Sequence, residues 1–236
     1  MNPQGEQILR GLQAVAAERA QRAADPALSA AVVAVKRFQH ARFQATYADL
    51  LASPRYARAA RFFLDDLYGP KDFTQRDAQF ARVVPGLVRL FPSDLVNTVA
   101  SLADLHALSE TMDTAMARTL GSTPPDGHTY ALAWRAVGQP PIRERQIALM
   151  LAVGSALDRY TRNPLLRHSL RLMRGPAHAM GLGTLQEFLE SGFDTFRDMR
   201  GAAFFLDTVA SRERTLAARL FEGGDVTDMT APATAP

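Results

Sequence analysis

The sequence predicts an all-α protein, a single bundle of roughly ten helices around a buried central helix at about 141–160. Three observations lead there. Helix-start signals recur along the chain, as in Asp25-Pro26, Ser53-Pro54 and Asn163-Pro164, each a capping residue before a proline suited to the first helical position. Apolar residues return at helical spacing between these signals. No stretch of four or more residues between turn signals alternates as a half-buried strand would. The central helix is expected because 147–153 (IALMLAV) is apolar without a break and Ala156 and Leu157 extend it. Its ends are polar, with Arg143 to Gln146 before it and Asp158 and Arg159 after it. A helix apolar on all sides must be covered on all sides, so this one should cross the core with its ends in water.

The remaining elements follow in order. Residues 5–24 make a first helix with a narrow stripe of Ile8, Leu12, Val15 and Ala16. A second runs over 26–52, with Val32, Val35, Phe38, Ala45 and Leu50 on its buried side. A third opens at Ser53-Pro54 and carries Phe62, Phe63, Leu64 and Leu67. Thr74 to Asp77 has capping-box spacing and starts a short helix that Pro85 should end, leaving a turn to Phe91. Ser93 caps a long helix over 94–120, with Leu95, Val99, Leu102, His106, Ser109, Met112 and Met116 on one side. The 121–127 stretch, GSTPPDG, is the strongest break and a possible subdomain boundary. A short helix with Tyr130, Leu132 and Trp134 precedes the central one. A helix from Pro164 carries five apolar residues and should break at Gly175-Pro176. Thr184 to Glu187 reads as a capping box before an amphipathic helix with Leu185, Phe188, Leu189, Phe193, Phe196 and Met199. A last helix bears Phe204, Phe205, Val209, Leu216 and Leu220. The domain spans 1–221, and 222–236, small, polar and proline-containing, reads as a disordered tail.

Composition narrows the function classes. Of 236 residues 47% are hydrophobic, enough for a sizeable core, and 22% are charged. The absence of cysteine excludes disulfides, zinc–thiolate sites and cysteine nucleophiles. No basic segment leads into an apolar run at the N-terminus, and no run approaches the roughly 20 residues that span a bilayer, so the expected location is the cytoplasm. Lys36 and Lys71 are the only lysines among 27 cationic residues. The arginines alternate with acids, which reads as GC-rich codon usage and solvated helix faces, not as a nucleic-acid footprint.

The stretch 62–69, FFLDDLYG, with Asp72-Phe73 and Arg76-Asp77, resembles a pattern found in uncharacterised, mainly proteobacterial proteins, roughly FFLxDLYGxxDFxxRD. The stretches 105–110, 143–146, 172–176 and 181–186 resemble the same group, so the likeness covers about 30–215. It implies an uncharacterised helical bacterial protein with no known activity and supplies no catalytic residues. Asp65, Asp66, Tyr68, Asp72, Arg76 and Asp77 are therefore signature positions of unknown role.

Three clusters are candidates for chemistry. Asp65-Asp66, with Asp72 and Asp77, are paired acids of the kind that hold magnesium in prenyltransferases. Neighbouring residues point about 100° apart on a helix, however, and Leu105 stands where a second motif needs an acid, so no metal site is assigned. His106 and Glu110, one turn apart and followed by Asp113, form a possible acid–base pair or half of a haem or metal site. Arg167, Arg171 and Arg174, near His178, line one face of a short helix and suit a phosphate or carboxylate, unless Glu187, Glu190, Asp194 and Asp198 pair with them. No nucleophile elbow and no phosphate-binding glycine loop is present. The expectation is a soluble protein acting by association, as a homodimer, without a catalytic site. The alternative is a bundle binding an apolar or anionic small molecule: haem-like, isoprenoid or acyl. A weaker alternative is an enzyme acting on a phosphorylated substrate through Asp65 or Asp66 and the 167–174 arginines. The cofactor is unknown, and neither nucleic acid nor membrane is expected as a partner.

Overall fold

The computed structural model describes residues 3–67, 69 and 71–227. The chain forms α1 (Pro3–Ala23), α2 (Pro26–Thr46), α3 (Ala48–Ala52), α4 (Ala57–Phe62), a π-helical turn (Phe63–Leu67) and α5 (Thr74–Leu90). It continues with α6 (Ser93–Leu120), α7 (Gly127–Val137), α8 (Pro140–Thr161), α9 (Pro164–Leu172), α10 (Arg174–Ala179), α11 (Gly183–Asp198) and α12 (Ala203–Phe221). No strand occurs among the described residues, and none of their helices is long and apolar enough to cross a membrane.

The core lies in three clusters, and α6 threads all of them. Val96, Ala100 and Ala103 pack with Ile8, Leu12 and Val84 of α1 and α5. Leu105 joins Tyr47, Met150, Phe196 and Phe205 in a cluster of α3, α4, α8, α11 and α12. Met116, Ala117 and Leu120 pack with Val32, Val35, Tyr130, Leu216 and Leu220. The last cluster joins helices on both sides of the 121–126 loop. Toward the C-terminal end of α6 Met112 and Met116 of the predicted side are buried, but in the N-terminal half the buried face is not Leu95–Val99–Leu102 but Val96, Ala100 and Ala103, because α1 packs closely there. A Cβ on Gly11 would stand 3.0 Å from the Ala103 carbonyl oxygen.

Helix α8 packs against α6, α9, α11 and α12, with Met150, Val153, Gly154 and Ala156 buried. It is not covered on every side. Ala148, Ala152 and Ser155 face solvent, since small side chains on that face leave little apolar surface to hide.

Several local expectations gave way to tertiary contacts. Pro85 is exposed inside α5 and does not end it, because Val84, Leu87 and Val88 on the other side are held in the α1 cluster. The start of α5 is capped by Asp72, whose Oδ1 accepts from the Thr74 amide (2.9 Å) and hydroxyl (2.6 Å), leaving Asp77 for another role. Ser93 makes no capping bond. Nor does Thr184: the Leu185 amide donates instead to Oε1 of buried Gln79 from α5, 2.9 Å away. The break after α9 falls at Met173, and Gly175-Pro176 lie inside α10. The chain also stays packed past Phe221: Val226 is fully buried and its amide donates to the Gly127 carbonyl. The expected tail is therefore ordered through Thr227, and 228–236 lie outside the described residues.

Candidate functional site

The apolar stripe of α1, Ile8–Leu12–Val15, continues at the same spacing into Arg19 and Arg22. The α2 stripe, Val32–Val35, continues into Gln39 and Arg42. Both stripes turn polar toward their C-terminal ends: the first carries Arg19 and Arg22 into the seam against α6, while the second ends in Arg42, which faces α12. Glu110, buried in α6, is where Arg19, Arg22 and Lys36 of α2 converge. The Arg22 guanidinium bonds its carboxylate and, through Nη2, its main-chain oxygen at 2.5 Å. Lys36 Nζ donates to Oε1 at 2.7 Å, and Arg19 stands 3.8 Å away. Burial pushes the Glu110 pKa up, but Lys36 and Arg22 outweigh it and draw it down to about 2.

One turn earlier, His106 does not pair with Glu110. Its Nε2 lies 2.8 Å from Oδ2 of Asp77, and Arg19 Nη1 reaches the same carboxylate oxygen at 3.0 Å. Arg76 Nε donates to the other Asp77 oxygen at 3.2 Å, while its Nη1 donates to the Asp66 carbonyl. The Arg76 guanidinium also lies over the rings of Phe73 and Phe188, 4.1 and 4.6 Å from their centroids. Burial raises the Asp77 pKa, and the His106 bond with the charges of Arg76 and Arg19 brings it below the ordinary value.

The network reaches α7 and α8 through Asp113. Gln39 Nε2 donates to Asp113 Oδ1 at 3.1 Å and to Tyr130 Oη at 3.4 Å. Burial raises the Asp113 pKa and dominates over the attraction of Lys36. Buried Arg143 lies 3.8 Å above the Trp134 ring, with its Nε and Nη2 unpaired among the described residues. Burial lowers its pKa. A separate buried group joins α2 to α12: Arg42 Nη1 and Tyr47 Oη both donate to Glu213 Oε1 at 2.6 Å.

The structure thus brings His106, Glu110, Arg76 and Asp77 into one network. It leaves the other candidates elsewhere. Asp65 meets His40 at 3.1 Å and Asp66 meets Lys71 at 3.2 Å, so the adjacent acids point to different partners. Asp72 is a cap, and Tyr68 lies outside the described residues. Arg167 pairs with Asp194 at 3.1 Å and Arg174 with Glu190, two of the acids expected for them; Arg171 and His178 are exposed. No contact joins this set to Asp65 or Asp66 among the described residues, and no group of three or more acids and histidines there is placed to hold a metal. The apolar cavity lined by Phe43, Phe63, Met150 and Phe205 is about 30 Å³, room for one water, against roughly 300–1,000 Å³ for ligand pockets.

Sequence reasoning missed Arg19, Arg22, Lys36, Gln39, Tyr130 and Arg143. The signal for the first two was present: a charged residue continuing an apolar stripe in register is carried into the core.

A family model for a domain of unknown function, DUF8198, matches residues 18–227. The chain belongs to that family. The DUF8198 span contains every residue of the network just described, Arg19 and Arg22 included, and leaves out 3–17 of α1. No characterised protein and no solved structure matches the chain. Glu110 and Asp77 are held below their ordinary pKa values by neighbouring cations, which makes them weak bases.

Proposed function

We propose that this protein acts by association, pairing with a second copy of itself through α9. The observation that supports this is the burial of α9: none of its nine residues is buried, although four are leucines. Leu165 is 73% exposed, Leu172 65% and the following Met173 48%. At 100° per residue these three and Ser169 fall within an arc of about 100°. The opposite side is tied down. Arg167 and Arg174 bond acids of α11, and Gln186 Nε2 donates to the Leu170 carbonyl at 2.6 Å. The outward stripe is consequently apolar and uncharged, which suits neither an acidic partner nor water.

The pattern is self-complementary. Ser169 lies midway between Leu165 and Met173, so an antiparallel crossing with its two-fold axis at Ser169 sets Leu165 of each copy against Met173 of the other. The small residue at the centre allows close approach of the helices. Light scattering on a sizing column at tens of micromolar should give twice 25.8 kDa. Leu172→Glu should give a monomer with unchanged helicity. A wild-type monomer at that concentration would sink the proposal.

A further inference from the structure

Beyond association, a second feature stands at the far end of α8. The C-termini of α8 and α11 and the turn leading into α12 enclose an open cleft of about 370 Å³, a size that takes a small ligand. Its walls include Arg162, Arg197 and Arg200 with a single acid, Asp158, over a floor containing buried Phe196. Two helix C-termini would normally make such a place negative. At the end of α11 Arg55 opposes this by donating to three successive carbonyls, of Met199 (2.7 Å), Arg200 (3.1 Å) and Gly201 (3.4 Å).

The three cleft arginines are not equally committed. Arg197 is held by Asp194 and Asp198, at 3.2 and 3.0 Å. Arg162 bonds Asp158 and is 71% exposed. The Arg200 guanidinium has no hydrogen bond or ion pair among the described contacts. Its backbone sits at φ +52, a region an arginine enters at a cost, and the Arg55 bonds hold it there. The strained turn thus places Arg200, exposed and with an unpaired guanidinium, among the residues that line the cleft. Asp158, the acid of the cleft, is itself committed: its Oδ1 accepts from the Ala202 amide at the start of α12, 3.0 Å away, and its Oδ2 pairs with Arg162.

We propose that this cleft binds a small molecule through a phosphate group, with Arg200 and Arg162 as its ligands and Arg197 as a fixed wall. Guanidinium groups pair with phosphate in a bidentate fashion, and two of them supply more donors than the two oxygens of a carboxylate take up. The probes are inorganic phosphate and pyrophosphate at constant ionic strength, followed by thermal unfolding. Wild type should gain roughly 3 °C at a tenfold excess over the dissociation constant. Arg200→Gly relieves the strained φ, so it should fold at least as stably without ligand and lose the gain. Arg162→Ala should reduce the gain, and Arg37→Ala, an exposed arginine of α2, should keep it. No gain in wild type, or an equal gain in Arg200→Gly, overturns the proposal.

Discussion

Glu110 carries a charge in a nearly dry place, and its stability consequence has a definite sign. Its folded pKa, about 2, lies below the ordinary 4.5, so the stabilisation is full above about pH 5 and is lost as pH falls toward 2. At about 1.4 kcal/mol per unit the effect is on the order of 3 kcal/mol. Asp77, also lowered, adds in the same direction. Asp113 opposes them: its raised pKa means that ionisation costs stability, and protonation at low pH recovers it. Urea midpoints measured from pH 7 to pH 2 should fall steeply for wild type. In Glu110→Gln they should start lower, since Arg22 and Lys36 lose their buried partner, and then fall less steeply. Parallel curves for the two proteins would show that Glu110 is not the titrating anchor. Arg22 and Arg19 were readable in the sequence as members of the α1 stripe. Their partner was not, because Arg22 and Glu110 are 88 positions apart and only packing brings them together.

Helix pairs are set by what their contact faces leave out. Helix α1 lies against α6 at Gly11, where an added Cβ would meet the backbone of Ala103, which no side-chain rotation can move. Gly86 of α5 has nothing within 4 Å of the same hypothetical atom. The two glycines therefore respond oppositely to one substitution. Gly86→Ala should stabilise by up to about 1 kcal/mol through helix propensity. Gly11→Ala should destabilise by about 1–2 kcal/mol despite the same propensity gain, because overpacking a closed helix seam forces the helices apart. Chemical denaturation of both variants settles it; a stabilised Gly11→Ala would mean that the seam yields. The start of α11 carries the same lesson. Thr184 and Glu187 have capping-box spacing, yet the Leu185 amide is taken by Gln79 from another helix. A local motif states what a helix start can use; a neighbour placed by the fold can supply it first.

At the scale of the molecule, α6 passes through all three core clusters and the chain after α12 closes the last of them, around Tyr130, Leu216 and Leu220. Val226 reaches back to α7, where Gly127 admits it: a Cβ there would stand 2.5 Å from the Thr227 backbone. Val226→Ala should cost about 2 kcal/mol, the transfer of two buried carbons plus the space they leave. A calorimetric unfolding temperature unchanged in that variant would mean that the segment does not close the core. Reading 222–227 as tail followed from its small and polar composition. One valine in a groove of the right depth outweighs that composition, and the groove exists only once α7 and α12 are side by side.

The sequence by itself determined that the chain is helical, roughly where most helices lie, and that the chain turns between α6 and α7. Those properties depend on neighbours a few positions away: apolar spacing, prolines at helix starts, glycines after helix ends. The tertiary structure alone decided which face of each helix is buried and what each charge meets. It turned Leu165 and Leu172 of α9 outward and Arg19 and Arg22 of α1 inward, and it made α6 rather than α8 the shared axis of the core. The physical reason is that burial and ion pairing are properties of surfaces in contact. The partner surfaces here, such as α1 with α6 or Arg55 with the end of α11, are separated by dozens of residues or more.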